Sequence, residues 1–497
     1  MVRREYVSFL RERRQDIGFG DRGPDPSRWL WLVLAVGFVA ISVWWFGFRD
    51  ADDIASERIL DDTTIPTLLL PSAIDEQGGA VLTASLECST LVEEWTTFQG
   101  GAERTGCLTT RTITSPEIMW QVETGIQGWR NNPVIEDGAV FVGSAGVAQF
   151  SRDRRDGIYS FDLATGTRRW IYTTELDVNS VAVSDGVVVA TGDEGRIWAL
   201  SARDGSLLWT DDLGVAVFGD PLILGDMVVI GDGAGQVRAY NLETGGDPLW
   251  TAKVTGPIRG GASSDGERIY VAGEGHEVLA LAMNGEELWR VEVTARGPQG
   301  DRARIFAAPT VTETMLLVSL LREDVYAEPA LLALDKETGE VIWRARDAAG
   351  IKTQWANVRS SPAVAGDFVV YGEGYSKQLV VLDLATGETA WSLPVGEFCY
   401  PHWPSPAVNN GIAYLARHDG ALYAVNLKTQ EIEWSIYLGD AEGTGAFPAD
   451  YGSGFCDWGP ESGHSILASP AVSPEGVIVV GSLEGRLMAI GDSEWDS

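Results

Sequence analysis

The sequence predicts an all-β, eight-bladed β-propeller, and three observations carry that prediction. Eight tryptophans recur down the chain at roughly 40- to 55-residue spacing. Seven of them close variants of the phrase Asp/Asn-x-x-Thr-Gly followed by Trp. These are DLATGTRRW ending at Trp170, SARDGSLLW at Trp209, NLETGGDPLW at Trp250, AMNGEELW at Trp289, DKETGEVIW at Trp343, DLATGETAW at Trp391 and NLKTQEIEW at Trp434. Trp120 in EIMWQVETG is the eighth. Ahead of each phrase lies a segment that alternates apolar and polar residues, such as GRIWALS, QVRAYNL or ALYAVNL, whose period of two marks a half-buried strand.

Each repeat then yields four strands in order. A short SPAV-like start (Ser361 to Val364, Ser405 to Val408, Ser469 to Val472) precedes an apolar run such as GVVVATG, then the alternating strand, then the strand bearing Trp. Gly, Asp and Asn turns separate them. Eight such starts fall near Val134, Val181, Leu222, Ala262, Pro309, Pro362, Pro406 and Pro470, but only seven have a Trp strand of their own. The segment around Trp120 has no inner strands, so it is expected to complete the last blade and close the ring without open edges; misreading one strand would leave seven blades. Each Trp is expected to pack between neighbouring blades, against the Gly of a turn. Gln430, where Gly is expected, and the extra residue before Trp250 are turn variants.

Ahead of the repeats, Trp29 to Phe48 carry no charge, and as a helix these 20 residues rise about 30 Å, the thickness of a bilayer core. Seven arginines (Arg3, Arg4, Arg11, Arg13, Arg14, Arg22, Arg28) precede this stretch and acids follow it. The positive-inside rule then puts the N-terminus in the cytoplasm and the propeller outside, a single-pass anchor in the cell membrane. A cleaved signal peptide is the competing reading, disfavoured by the long apolar core and the lack of an A-x-A-like site. The expected organisation is therefore residues 1–28 as a cytoplasmic basic segment, 29–48 as a transmembrane helix, 49–92 as an extracytoplasmic linker, 93–491 as the propeller and 492–497 as a tail.

The formal net charge is −34, and because residues 1–28 carry +2 the remainder holds about −36. Nucleic acid is excluded as a partner by that balance, and docking onto anionic lipid is disfavoured. Four cysteines suit an exported chain. The expected disulfides are Cys88 with Cys107 and Cys399 with Cys456. A Cys/His metal site drawing on His402 and His464 is the weaker alternative for the second pair.

In a propeller the connections between blades and those between second and third strands share one face. Every long insertion here falls in those two classes, whereas the other turns are uniformly short (Asp185-Gly186, Asp265-Gly266, Gly366-Asp367). Long loops on a compact scaffold carry function more often than connection. The loops are rich in aromatics, and Trp129, Arg130, Trp355, Tyr400, His402, Trp403, Tyr451 and Trp458 are the candidate partner-binding residues, of the types that dominate interface energetics. Mutual packing that orders the loops is the alternative reading of the same residues.

The repeat phrase, the SPAV strand and the opening EEWTTFQGGAERTG (Glu93 to Gly106) together resemble the PQQ-like (pyrroloquinoline-quinone-like) β-propeller repeat family over about Trp95 to Gly491. The resemblance implies the propeller fold but leaves function open, since the family holds both calcium-dependent quinoprotein alcohol dehydrogenases and a non-catalytic outer-membrane assembly lipoprotein that binds proteins. The dehydrogenases carry adjacent cysteines against the quinone, and this chain has no Cys-Cys pair. No Gly-rich phosphate loop, H-E-x-x-H or G-x-S-x-G phrase appears either. The expectation is a non-catalytic scaffold for a protein, peptide or envelope polymer, with no catalytic residue, metal or cofactor assigned. A PQQ- and calcium-binding redox or sensory protein is the alternative, and signal relay through the short cytoplasmic segment is a third possibility without a recognisable module.

Overall fold

A computed structural model describes residues 85–88, 93–128, 130–149, 151–293, 304–321, 330–346, 358–373, 377–396, 403–449, 451 and 465–493. The predicted transmembrane stretch 29–48 lies outside the described residues. Among those described, the chain forms strands and turns, and eight sheets of four or five strands make eight blades.

Blade 1 runs outward from Val134–Glu136 through Ala139–Ala145 and Asp156–Asp162 to Arg168–Thr173. The inner strands of blades 2 to 7 are Val178–Ser184, Leu222–Leu224, Ala262–Ser264, Thr310–Val311, Ala363–Ala365 and Ala407–Asn409. Blade 8 takes Ala471–Val472, Ile478–Gly481 and Arg486–Asp492 from the C-terminal end, and its outer strand is Pro116–Glu123. The ring is therefore closed by the Trp120 strand, as its lack of inner strands predicts.

The closure rebuilds an interrupted turn. In blades 1, 5 and 6 the Asp of the repeat phrase accepts from the Thr three residues on, as Asp162 Oδ1 does from the backbone N–H (3.1 Å) and hydroxyl (2.9 Å) of Thr165. In blade 8 the two residues come from opposite ends of the chain. Asp492 Oδ2 accepts from the Thr114 N–H at 2.6 Å and its hydroxyl at 2.8 Å, and Ser493 N–H donates to Ser115 O at 3.0 Å. The same polar capture that tightens a hairpin thus fastens the two ends.

Apolar cores lie between blades. Val183, Val188 and Trp198 of blade 2 pack with Phe141 and Ile158 of blade 1, and one continuous cluster joins Tyr414 of blade 7, Ile478 of blade 8 and Val142 of blade 1. The outer tryptophans staple these interfaces. The indole N–H of Trp120 donates to Leu163 O (2.7 Å), that of Trp209 to Leu242 O (2.7 Å) and that of Trp343 to Leu384 O (2.9 Å), each in the next blade. In blade 3 the turn glycine lies close beneath the ring: a Cβ on Gly245 (φ +60°) would sit 2.6 Å from the Trp209 ring. Gln430 occupies this turn position in blade 7 and adopts φ 62°. The extra residue before Trp250 is absorbed by a register shift between Ala239 and Asn241.

The SPAV serines form a belt around the axis. Ser361 N–H donates to Ser405 Oγ (2.9 Å), Ser405 N–H to Ser469 Oγ (2.9 Å) and Ser469 N–H to Asn132 Oδ1 (2.7 Å), linking blades 6, 7, 8 and 1. Each of these side-chain oxygens satisfies a backbone donor that the start of an inner strand would otherwise bury unpaired.

Inside the ring runs a second, smaller ring that the repeat pattern does not announce. Residues 95–110 make a circuit of the axis and touch the inner end of every blade in order. Trp95 O accepts from Ile135 N–H, Thr96 O from Val183 N–H, Ala102 O from Ser264 N–H and Glu103 O from Val311 N–H. Thr105 O then accepts from Val364 N–H and Gly106 O from Val408 N–H. Thr97 Oγ1 reaches Pro221 O in blade 3, and the Thr110 hydroxyl reaches Pro474 O in blade 8. Cys107–Leu108 pairs parallel to the inner strand of blade 7. The circuit lies at the short-turn end of the channel. Cys107 is bonded to Cys88, whose neighbour Ser85 exchanges hydrogen bonds with Asp367 in a blade 6 turn. In the chain-entropy account, closing a loop with a sequence separation of 19 contributes about 3 kcal/mol.

Candidate functional site

At the opposite, long-loop end of the channel, the residues just ahead of the inner strands form an alternating stack of cations and rings. The Arg130 guanidinium carbon lies 5.0 Å from the centre of the Phe218 ring, and Arg259 lies 4.4 Å from that ring and 5.7 Å from Phe306. Arg359 continues the series at 5.4 Å from Phe306 and 4.4 Å from Trp403. The six residues come from the entries to blades 1, 3, 4, 5, 6 and 7, so the stack follows the rim of the channel. All six side chains are buried or half-buried.

Carboxylates from the connections between second and third strands hold the arginines. Arg130 pairs with Asp193 at 3.3 Å, Arg259 with Glu274 at 2.8 Å and Arg304 with the same Glu274 at 3.3 Å. Both connection classes expected on one face therefore meet there. In blade 7 the equivalent connection carries Arg417, His418 and Asp419, all at most 3% exposed. Arg417 pairs with Asp419 at 3.1 Å and lies over the Tyr423 ring at 5.5 Å.

His418 is held neutral. Burial first, then the neighbouring Arg417 and Arg359 cations, depress its pKa to about 3. A histidine with a lowered folded-state pKa contributes stability that is present above its unfolded value, near 6.5, and is lost as pH falls toward 3. Unfolding in urea is expected to show a stability about 2 kcal/mol lower at pH 5 than at pH 7.5 from this group, at about 1.4 kcal/mol per pH unit. His418→Gln should shrink that difference; an unchanged pH dependence would show that His418 titrates normally.

Of the residues chosen from the sequence, Arg130 and Trp403 stand in the stack, near its two ends. Tyr451 adjoins the blade 7 cluster, with Asp419 and Tyr423 as side-chain partners, and packs edge-on against Phe447 at 4.9 Å and near Tyr437 at 6.0 Å. Trp129, Trp355, Tyr400, His402, Trp458, Cys399 and Cys456 lie outside the described residues. Sequence reading passed over Phe218, Arg259, Phe306 and Arg359. Aligning the repeats on their SPAV-like starts would have exposed them, because arginine or an aromatic recurs just ahead of those starts in VFGDPL, PIRGGA, RIFAAP and NVRSSP.

The fold also raises the question of a quinone with calcium on the axis. Among the described residues no three His, Cys, Asp or Glu side chains converge to hold a metal ion. The short-turn end of the channel is built from the chain's own residues 95–108, with the Arg104 side chain donating to Phe98 O, Pro221 O and Ala262 O. The described axial residues do not fit that cofactor pair.

Comparison with known proteins places the fold. The family model described as outer membrane protein assembly factor BamB matches residues 154–246 and 235–398. An assembly factor of that name from Shewanella oneidensis is 24% identical over 377 residues, covering 63% of this chain and 89% of the relative. Among solved structures, BamB from Moraxella catarrhalis superposes with a TM-score of 0.56 at 16% identity, over 76% of this chain and 99% of that one. The quinohemoprotein alcohol dehydrogenase of Comamonas testosteroni gives 0.60 at 14% identity, over 82% of each chain. At such identities the structural likeness speaks for the fold alone. The repeat phrase, the eight closed blades and the family match agree, and the propeller belongs to the PQQ-like β-propeller repeat family.

Proposed function

We propose that this chain is a non-catalytic binding scaffold of the cell envelope, anchored by residues 29–48 with its propeller outside the cytoplasm, that receives a protein partner on its long-loop face. The observation that carries this reading is the asymmetry of the channel. One end is sealed by the chain's own circuit, while the other presents an ordered stack of arginines and aromatic rings, the residue types that concentrate interface energy. The likeness to outer-membrane assembly factors supports a role beside other envelope proteins. The proposed partner face also takes in the loop residues Trp355, Tyr451 and Trp458 singled out from the sequence.

The test is capture in cells. With a photo-crosslinking residue in place of Trp458, the full chain should give a discrete adduct with an envelope protein. Trp403→Ala should weaken that capture by about 2 kcal/mol, roughly thirty-fold in Kd, while leaving the melting temperature nearly unchanged. Undiminished capture by the variant, or a C-terminal epitope protected from protease added to spheroplasts, would overturn the reading.

A further inference from the structure

We infer that the arginine–aromatic rim takes an acidic stretch of extended polypeptide, a proposal that names the partner chemistry of the face proposed above. The first ground is pre-organisation. A guanidinium stacked between rings has its plane fixed, so binding costs little further side-chain entropy, and its edge N–H groups match a carboxylate in geometry. Arg259 sits between Phe218 and Phe306, and Arg359 between Phe306 and Trp403. Rim and ligand would meet as two planar, oppositely charged systems with apolar ring edges between them.

The second ground is local charge. Among the described residues Glu274 serves both Arg259 and Arg304, two guanidinium groups on one carboxylate. The side chains of Arg259 and Arg304 are 26% and 44% exposed, which leaves them within reach of a ligand.

Against this stands the net charge of −34, which would steer a basic segment instead. Distance decides between the two fields. Strands lie about 4.8 Å apart, so the outer strand of a blade is some 14 Å from its inner strand. Screening at physiological salt acts over about 8 Å. Carboxylates on the outer strands are therefore largely screened at the axis, and the rim carboxylates Asp193, Glu274 and Asp419 are each paired with an arginine, so a ligand at the rim meets the arginines first. The acidity keeps the particle soluble; the rim selects the ligand.

The sealed far end supports an extended occupant lying across the mouth. Arg104, Gln99 and Trp95 are each at most 2% exposed and already bonded within the circuit or packed in the core, so no ligand passes through.

The experiment uses the full chain in detergent and fluorescence anisotropy with two labelled octapeptides. One carries four Asp and two Phe residues; the other has Lys in place of Asp. The acidic peptide should bind, and raising NaCl from 50 to 300 mM should weaken it about ten-fold. Arg259→Gln and Arg359→Gln should each weaken it at least ten-fold. Arg304→Gln, at an exposed position that cannot cost the fold, should weaken it about three-fold. Equal or tighter binding of the lysine peptide, or acidic-peptide affinity indifferent to all three substitutions, would overturn the proposal. Equally effective competition by tripolyphosphate would overturn it in favour of a phosphoanion site. Partner capture that needs Trp403 while the acidic peptide fails to bind would refute this inference and leave the scaffold reading standing.

Discussion

Replacing Arg104 with Leu is expected to lower the unfolding free energy by about 3 to 5 kcal/mol, the cost of removing one partner from a buried polar network. Arg104 has 0% exposure at the centre of the ring. Its Nε donates to Ala262 O at 3.1 Å, one terminal nitrogen to Phe98 O at 2.8 Å and the Thr97 hydroxyl, and the other to Pro221 O at 3.1 Å. One side chain thus ties blades 3 and 4 to the axial circuit. Leucine fills much of the volume but removes the guanidinium donors from the buried Phe98 and Ala262 carbonyls and leaves Pro221 O with the Thr97 hydroxyl alone.

The electrostatic part of the loss has a distinct signature. Burial pushes Arg104 down to about 10, and the nearby Asp220 carboxylate opposes that shift. Asp220 is itself raised to about 6 by burial, with Arg104 pulling it back down, and it accepts from the Ser180 hydroxyl. Without the cation its pKa rises further. A carboxyl group with a raised folded-state pKa contributes stability present below its unfolded value and lost as pH rises through the folded one. Arg104→Leu should therefore cost less at pH 5 than at pH 8, and Asp220→Asn in the same chain should restore part of the loss. Urea unfolding of the parent, the two single variants and the double variant at both pH values reads this directly. A cost below about 1 kcal/mol, or no rescue by Asp220→Asn at pH 8, would show that the circuit lies on the channel without holding it.

What the sequence made legible follows what repeats. Blade number, strand order, the closure by the Trp120 strand and the division into short-turn and long-loop faces all rest on residues that recur seven or eight times, so one irregular copy such as Gln430 did not disturb the reading. Residues 95–110 occur once. Their binding to the inner strands runs mostly through backbone carbonyls, which leave no side-chain pattern, and only the density of Thr and Gly in TTFQGGAERTG marks them. Phe218, Arg259, Phe306 and Arg359 were missed for a related reason. Each is one residue in a connection, separated from the next by tens of residues, and the stack exists only once the ring has closed. Arg130 and Trp403 were found because aromatic-rich loops drew attention to them, not because the rim was foreseen.

Trp209→Ala should destabilise the domain by about 3 to 5 kcal/mol, the range for emptying a large core site. The ring is 8% exposed, sits on Gly245 and lies 5.9 Å from the Tyr240 ring in a tilted arrangement. Two losses add. The apolar contact across the interface of blades 2 and 3 disappears, and Leu242 O loses the indole N–H that reached it at 2.7 Å. The neighbourhood cannot close over the void cheaply. Gly245 has φ +60°, a conformation that side-chain-bearing residues rarely adopt, so Gly245→Ala in the alanine variant should add strain and deepen the loss. Trp209→Phe, which keeps a ring but not the donor, should recover roughly half. The contrast with Trp403→Ala tests the proposed difference between the two tryptophans, because the outer-strand ring is a staple between blades whereas the half-buried rim ring, beside Arg359 and against Ile126 and Leu467, is proposed as a contact surface. Equal destabilisation by both substitutions, measured as urea midpoints at constant m-value, would mean that Trp403 is part of the core and that the stack at the channel mouth is packing alone.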